Sequence, residues 1–253
     1  MTASRGFGVD IGGSGIKGCI VDLDQGQLVG ERIRIPTPQP STPDAVADVV
    51  AQIVQDFEWD GPVGVTLPAV IKKGTAYTAA NIDKSWLYTD AAALFGDKLG
   101  RGAEQIVVLN DADAAGIAEV AYGNEQDQKG VVVLLTFGTG IGSALFVDGK
   151  LMPNTEFGHI EVDGHDAETR AAASVKDDKD LSWDDWAKRV SRYVNALENV
   201  LWPDLIIAGG GVSKKADKWL PLLDVRTRVV AAELRNDAGI VGAALAAQRG
   251  IEH

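Results

Sequence analysis

A β-prone run, a glycine-rich turn and a second β-prone run occur twice in this chain of 253 residues, and few folds accept that unit in duplicate. The first copy reads 6–11, then Gly12-Gly13-Ser14-Gly15, then 16–23; the second reads 131–137, then Gly138-Thr139-Gly140, then 143–147. Residues 29–35 alternate apolar and polar side chains, which predicts a third, half-exposed strand. Prolines 36, 38, 40 and 43 lead into a helix with Thr42 as N-cap and Pro43 at its first position. Buried-type strands follow at 63–67 and 106–109, with a helix near 91–99 between them. In the second half, Ser182 and Asp185 resemble a capping box. They open a helix to 202 with Trp186, Val190, Val194, Leu197 and Leu201 on one face. A strand at 205–208, the triplet Gly209-Gly210-Gly211 and a closing helix from about 239 to 249 complete the chain. Alternating strands and helices predict an α/β protein. The repeated scheme predicts two related lobes facing across a cleft, where ligands of such folds gather.

The balance of charge narrows the partners. With 45% hydrophobic and 24% charged residues the chain is an ordinary globular one, but its net charge is -12. General nucleic-acid binding is excluded, because it needs many cations to neutralise phosphates. A small or linear polyanion in a locally basic groove is not, since local potential governs such binding. The single cysteine, Cys19, excludes an internal disulfide and a thiolate metal cluster. No apolar signal core opens the chain and no run reaches about 18 apolar residues, so a cytoplasmic protein without membrane contact is expected.

Four segments carry chemistry. In the first, Asp10 ends a strand and Gly12, Gly13, Ser14 and Gly15 form a turn whose backbone N–H groups can approach phosphate oxygens, with Lys17 just beyond. Asp10 suits Mg²⁺ held through water. The segment is no P-loop, because G-x-x-x-x-G-K-[ST] is absent and a strand follows; a plain tight hairpin is the alternative. The second segment, Thr136, Gly138, Thr139 and Gly140, repeats the design, so the two turns read as clamps on one phosphate chain. The third is Asn110-Asp111-Ala112-Asp113, where a strand gives way to a helix of small residues. Asp111 suits a general base on a hydroxyl and Asn110 a ligand for a second hydroxyl, while Asp113 suits a helix cap. The fourth is Glu156-Phe157-Gly158-His159, followed by Glu168, suited to binding several hydroxyls. A metal held by His159, His165 and a carboxylate is the alternative, but neither H-x-x-x-H nor a cysteine pair supports it, and no zinc is expected.

In combination, residues 10–18, Asn110-Asp111, residues 136–142, Glu156-x-x-His159 and Gly209-Gly210-Gly211-Val212-Ser213 resemble the ROK sugar kinases over residues 6 to about 246. Within that family the similarity is greatest to the actinobacterial polyphosphate glucokinases. It rests on Asn81-Ile82-Asp83-Lys84-Ser85-Trp86, on residues 163–169 and on residues 234–240. The resemblance implies the two-lobed actin-like ATPase and sugar-kinase fold (ribonuclease H-like), with a central interlobe cleft. It divides the chain into a small lobe of 1–109 plus about 240–253 and a large lobe of 110–239. It makes Asp111 the base on the 6-hydroxyl of glucose. Asn81, Asn110, Glu156, His159 and Glu168 become ligands of the sugar, and Gly209, Gly210 and Gly211 lie where ATP-using relatives seat adenosine. The zinc loop of many members is missing, since residues 162–168 hold no cysteine, although Glu168 matches its final Glu. With the phosphate turn so near residue 1, no DNA-binding helix-turn-helix is expected.

The donor is read from charge and resemblance together. Residues 209–235 hold six bases (Lys214, Lys215, Lys218, Arg226, Arg228 and Arg235) against three acids, a local excess that a linear polyanion could follow, or simply a solvated face. Resemblance favours polyphosphate, with Lys84, Arg101, Lys214, Lys215 and Arg235 as channel candidates and ATP or GTP as other donors. An ATP-dependent glucokinase or a glucomannokinase is the alternative activity, and a non-catalytic sugar sensor a third reading that Asp111 opposes. The resemblance also implies a homodimer, and the apolar stripe of the 183–202 helix is read as buried either in its own core or against a partner.

Overall fold

The opening glycine unit folds as a hairpin. In the computed structural model, which describes residues 4–124 and 129–251, β1 (Arg5–Gly12) returns as antiparallel β2 (Gly15–Asp22), with Gly12 opposite Gly15. The strand expected over 29–35 is broken. In its place two short strands, β3 (Gln27–Leu28) and β4 (Ile33–Ile35), pair with β2, because Gly30 adopts φ +82°, outside the strand region. Pro43 does open α1 (Pro43–Asp56), but the Thr42 side chain makes no capping bond. After β5 (Val63–Leu67) come a small hairpin, β6 (Ile71–Lys72) and β7 (Thr75–Ala76), and a 3₁₀ turn at Lys84–Trp86. Asp90 then caps α2 (Ala91–Leu99) by accepting from Ala93 N–H. β8 (Ile106–Asn110) runs without a break into α3 (Asp111–Tyr122). The sheet order is β3-β2-β1-β5-β8, with β5 parallel to β1 and to β8.

The second unit repeats this plan. β9 (Val131–Phe137) and β10 (Ile141–Val147) form a hairpin, extended by β11 (Lys150–Met152). A two-strand ribbon, β12 (Glu161–Val162) and β13 (His165–Asp166), leads to α4 (Glu168–Ala171), α5 (Ala173–Asp178) and α6 (Trp183–Leu201). β14 (Leu205–Gly209) and β15 (Val229–Ala231) complete a sheet ordered β11-β10-β9-β14-β15. The expected cap is present: Ser182 Oγ accepts from Asp185 N–H at 3.1 Å and donates to its carboxylate at 2.7 Å. The α6 stripe is spent within its own unit. Trp186, Val190 and Leu197 are fully buried, and Trp186 packs edge-on against Phe137 and Trp219 at 5.8 and 4.9 Å. That face is therefore not a surface for a second copy.

The closing helix, α7 (Ala238–Arg249), returns to the first unit and decides where the units divide. One unit holds the residues up to Tyr122 with those from Asp237 onward, and the other holds Gly123–Asn236. The boundary thus falls after α3, not before it at 109/110, and the first unit is the larger. The cause is close packing of two small-residue helices: a Cβ on Gly242 of α7 would stand 1.8 Å from the Ala114 carbonyl of α3. No helix among the described residues is long and apolar enough to cross a membrane.

Candidate active site

In the first unit the turn after β1 is built on Asp10. Thr66 Oγ1 donates to Asp10 Oδ1 at 3.0 Å, and the Lys17 ammonium lies 3.2 Å from Oδ2. Each carboxylate oxygen keeps a lone pair for a water of a hydrated Mg²⁺, a hard ion that retains its waters, so the donor set fits outer-sphere binding. Thr37 Oγ1 donates to the Gly12 carbonyl at 2.5 Å and an Arg34 guanidinium nitrogen to the Ser14 carbonyl at 2.9 Å. Gly13 and Ser14 are exposed at the tip. Arg34 sits opposite Lys17 in the β2–β4 register, so the turn is flanked by two cations, one of which sequence reading missed. Its signal was the polar middle position of 33–35, on the face that meets the turn.

Asn110 and Asp111 lie where β8 becomes α3. Asn110 Oδ1 accepts from Ala112 N–H at 2.8 Å and Asp113 N–H at 3.2 Å, and its Nδ2 donates to the Ala69 carbonyl at 3.1 Å. Asn110 is thus the helix cap, the task expected of Asp113, which is fully buried inside the first turn. Asp111 is exposed, held through Oδ1 by Ala112 N–H at 2.9 Å, in a first turn whose N–H groups favour an anionic side chain. Asn81, in the left-handed region at φ +58°, is exposed, and its backbone carbonyl lies beside Gly13. Its segment is anchored by Trp86, fully buried, whose Nε1 donates to the Ser41 carbonyl at 2.9 Å; Lys84 between them is exposed. Arg101 does not belong to a phosphate channel. Its guanidinium donates to the carbonyls of Trp59 and Gly61, before β5, at the end of the sheet opposite Asp10 and Asn110.

In the second unit the Thr136–Gly140 turn is fixed from α5. Ser174 N–H donates to the Gly138 carbonyl at 3.0 Å and its hydroxyl to the Thr139 carbonyl at 2.8 Å. Gly209 ends β14, and Gly210, at φ +83°, passes so near β9 that a Cβ would stand 2.2 Å from the Phe137 carbonyl. The triplet therefore abuts the turn, and a cavity of about 390 Å³ lies between Gly138, Thr139, Gly211, Trp183, Lys176 and Lys215. Lys176 and Lys215 stand 4.4 and 5.9 Å from the Trp183 ring. Sequence reading named Lys215 and missed Lys176 and Trp183, which no local pattern ties to the turn. Lys214 and Arg235 are exposed and do not line the cavity. The basic stretch is also not one face, because Arg226 donates to the Glu198 carbonyl at 3.0 Å and stacks 3.9 Å over Trp202.

The same unit brings together Glu156, His159 and Glu168. Buried Ser143 donates to the Thr155 carbonyl at 2.6 Å and accepts from Phe157 N–H at 2.9 Å, tying this loop to β10. Glu168 Oε2 accepts from Ile141 N–H at 3.0 Å, in space that a Cβ on Gly140 would enter at 2.3 Å. The residue sequence reading missed is Asp166: one oxygen accepts from His159 Nδ1–H at 2.9 Å, the other from Glu168 N–H at 3.2 Å. The ribbon that carries it replaces the cysteine loop with a turn of positive φ at Asp163 and Gly164. His159, Asp166 and Glu168 put one ligand atom each within 4.8 Å of one another, whereas His165 accepts instead from Arg170. Glu156 is exposed as a residue, yet desolvation of its carboxyl pushes its pKa up, with Glu168 adding to the shift and His159 opposing it.

The bond to Asp166, and after it the charges of Glu168, Asp166 and Glu156, raise the His159 imidazole above its ordinary 6.5, against an opposing effect of burial. Because the folded value is the higher one, the imidazolium–Asp166 pair supports the loop fully below 6.5 and is lost as pH rises through the elevated pKa. Asp166→Asn is expected to return the His159 titration, followed by proton NMR of the ring, toward 6.5. An unmoved titration would remove Asp166 as its partner.

A family model described as ROK family matches residues 6–175. Polyphosphate glucokinase of Mycobacterium tuberculosis (strain CDC 1551 / Oshkosh) is 58% identical over 252 residues, 100% of this chain and 94% of that protein. Among solved structures, the inorganic polyphosphate/ATP-glucomannokinase of Arthrobacter sp. strain KM superposes with a TM-score of 0.91 at 51% identity, covering 98% of this chain and 99% of that one. A ROK glucokinase of Streptomyces griseus, solved with glucose and AMPPNP, shares the fold at a TM-score of 0.82 and 24% identity, covering 98% and 100%. The two α/β sheets are those of the sugar kinases with the actin-like ATPase fold. With the family model matched over more than half its length, and a relative of this identity aligned from end to end, the chain belongs to the ROK family.

Proposed function

We propose that the chain is a polyphosphate-dependent glucokinase that transfers a terminal phosphoryl group to the 6-hydroxyl of glucose. The observation that carries this reading is the 58% end-to-end identity to a polyphosphate glucokinase, joined to an exposed carboxylate, Asp111, at a helix start. In the step, Asp111 takes the 6-hydroxyl proton as the oxygen attacks the terminal phosphorus. The bridging P–O bond breaks and the shortened polyphosphate leaves. Phosphoryl transfer is mostly positioning and charge stabilisation, which the N–H groups at 12–15 and 138–140, with Lys17 and Arg34, are suited to give. Mg²⁺, held through water at Asp10, would neutralise charge on the transferring group. Asn81, Asn110, Glu156, His159 and Glu168 bind the remaining hydroxyls. His159 and Glu168 are well suited, since Asp166 fixes the ring of one and the backbone of the other.

The donor reading rests on the polyphosphate glucokinase relative, and Lys215, with Lys176 that Asp177 partly neutralises, offers cations beside Trp183 for a linear polyanion. The Arthrobacter enzyme, a polyphosphate/ATP-glucomannokinase, supports a second reading, in which ATP also serves and mannose is also accepted. The flat face of Trp183 would then suit a purine. A cytoplasmic location and a homodimer are part of this proposal, the second from the family resemblance alone. Glucose 6-phosphate formation with Mg²⁺, comparing nucleotide-free polyphosphate with ATP, tests the donor. Turnover with polyphosphate alone is expected. Turnover with ATP only would overturn the donor and leave the role of Asp111 standing.

A further inference from the structure

A polar row crosses the first sheet beside the turn at 12–15. Thr66 of β5, Asp10 of β1, Lys17 of β2 and Arg34 of β4 are successive partners in the strand registers, so their side chains share one face. The row runs from a buried hydroxyl to an exposed guanidinium. Asp10 is held by Thr66 on one oxygen and by Lys17 on the other, so its charge is spent on Lys17. Arg34, directly opposite Lys17, has no carboxylate within ion-pair distance among the described residues. Like charges facing each other across two strands repel, so the row keeps one uncompensated cation at a cost. The seat of that cation is built into the turn. Arg34 Nη2 donates to the Ser14 carbonyl at 2.9 Å, and a Cβ on Gly15 would stand 2.7 Å from Nε and Nη2 and 2.8 Å from Cζ. Gly15 lies outside the left-handed region, so what requires glycine there is the guanidinium and not the backbone. One N–H is spent on Ser14. The others are uncommitted among the described residues, on an exposed side chain and in the planar fork that matches phosphate oxygens.

We propose that Arg34 binds the transferring end of the phosphoryl donor, its guanidinium bridging oxygens of the last two phosphates while Gly15 provides its seat. The proposal rests on the phosphotransferase reading above and names the cation of the first turn that meets the substrate. In the step, the bond from the terminal phosphorus to the bridging oxygen breaks and the bond to the sugar oxygen forms, with the hydroxyl proton passing to Asp111. The negative charge left on the bridging oxygen is what Arg34 stabilises, and it neither gives nor takes a proton. Because the contact is with the last phosphates, it serves polyphosphate and ATP alike.

The test is turnover of the full chain with Mg²⁺, glucose and either polyphosphate or ATP, in wild type, Arg34→Ala, Gly15→Ala and the double variant. Arg34→Ala is expected to lower kcat by about 10²–10³-fold with whichever donor the wild type uses, the range for losing one such charge-stabilising group. The KM for glucose and the melting temperature should stay those of wild type, since Arg34 is exposed. Guanidinium ion is expected to restore part of the lost turnover, whereas urea, which can bond the Ser14 carbonyl but carries no charge, is not. The double variant should be no worse than Arg34→Ala, because seat and occupant act as one unit. Turnover by Arg34→Ala within about tenfold of wild type would overturn the proposal, being below that range. Rescue by urea as well would reduce Arg34 to a support of Ser14, and additive losses would remove Gly15 as the seat. If wild type uses neither donor, the kinase reading falls by itself, and calorimetric titration with tripolyphosphate still decides the contact. Weaker binding by Arg34→Ala supports it, and unchanged or absent binding overturns it.

Discussion

Asp111→Asn is expected to lower kcat by about 10²–10⁴-fold, the usual contribution of a general base, while glucose affinity changes little. The split follows from what the substitution keeps. Asparagine retains the oxygen that accepts from Ala112 N–H, and the cap of α3 is supplied by Asn110, so the helix start is undisturbed. What is lost is proton affinity. The 6-hydroxyl would still lie against an acceptor, but nothing would take its proton as the phosphorus is attacked. A fall in kcat and kcat/KM together marks an interaction made only in the transition state. Steady-state kinetics combined with calorimetric glucose binding measures both quantities. Turnover within about tenfold of wild type would remove Asp111 as the base, since that is below the general-base range.

The long strands β1, β2, β5, β8, β9, β10 and β14 and both turns were legible because apolar runs next to glycine or proline carry their own boundaries, as at 63–67 and 131–137, whereas two- and three-residue strands such as β6, β7, β12 and β15 have no run to read. What escaped depended on a single residue or on distant chain. The cap of α3 fell to Asn110 and not Asp113 because β8 runs one residue further than its apolar run and the helix starts at once. Arg101 was misread from charge alone. Its place in chain order, a few residues before β8, puts it at the start of a parallel strand, whereas ligands of open α/β sheets gather at strand ends. Lys176 and Trp183 meet the second turn only through the packing of α5 and α6, which no local pattern records. Asp166 stood inside a matched motif, but its part became readable only when two bonds showed it holding His159 and Glu168 together.

Gly64→Ala is expected to be among the most damaging single-methyl changes in the first unit, with Gly242→Ala and Gly8→Ala, whose Cβ atoms would meet backbone at a like distance. A Cβ there would stand 1.9 Å from the Ala243 carbonyl oxygen and 2.3 Å from its carbon. Both are backbone atoms, so no rotamer change relieves the clash; α7 must lift from β5. Overpacking typically costs about 1–3 kcal/mol where side chains can yield, and the upper end or more is expected here. At roughly 2–4 °C per kcal/mol for a domain of this size class, the melting temperature should fall by about 6 °C or more. Gly100→Ala is the matched control. That glycine ends α2 at φ +64° with nothing within 4 Å, so its cost is limited to about 1–2 kcal/mol of left-handed strain. The damage should also reach chemistry. Gly239, in the first turn of α7, approaches Asp10 so closely that a Cβ would lie 3.0 Å from Oδ1, and a displaced α7 would therefore uncover one side of the carboxylate that Thr66 and Lys17 hold. Thermal melts followed by circular dichroism, with turnover measured below the transition, check both effects. A Gly64→Ala protein that melts with wild type would mean that α7 is not seated on β5, and the link from helix packing to Asp10 would fall with it.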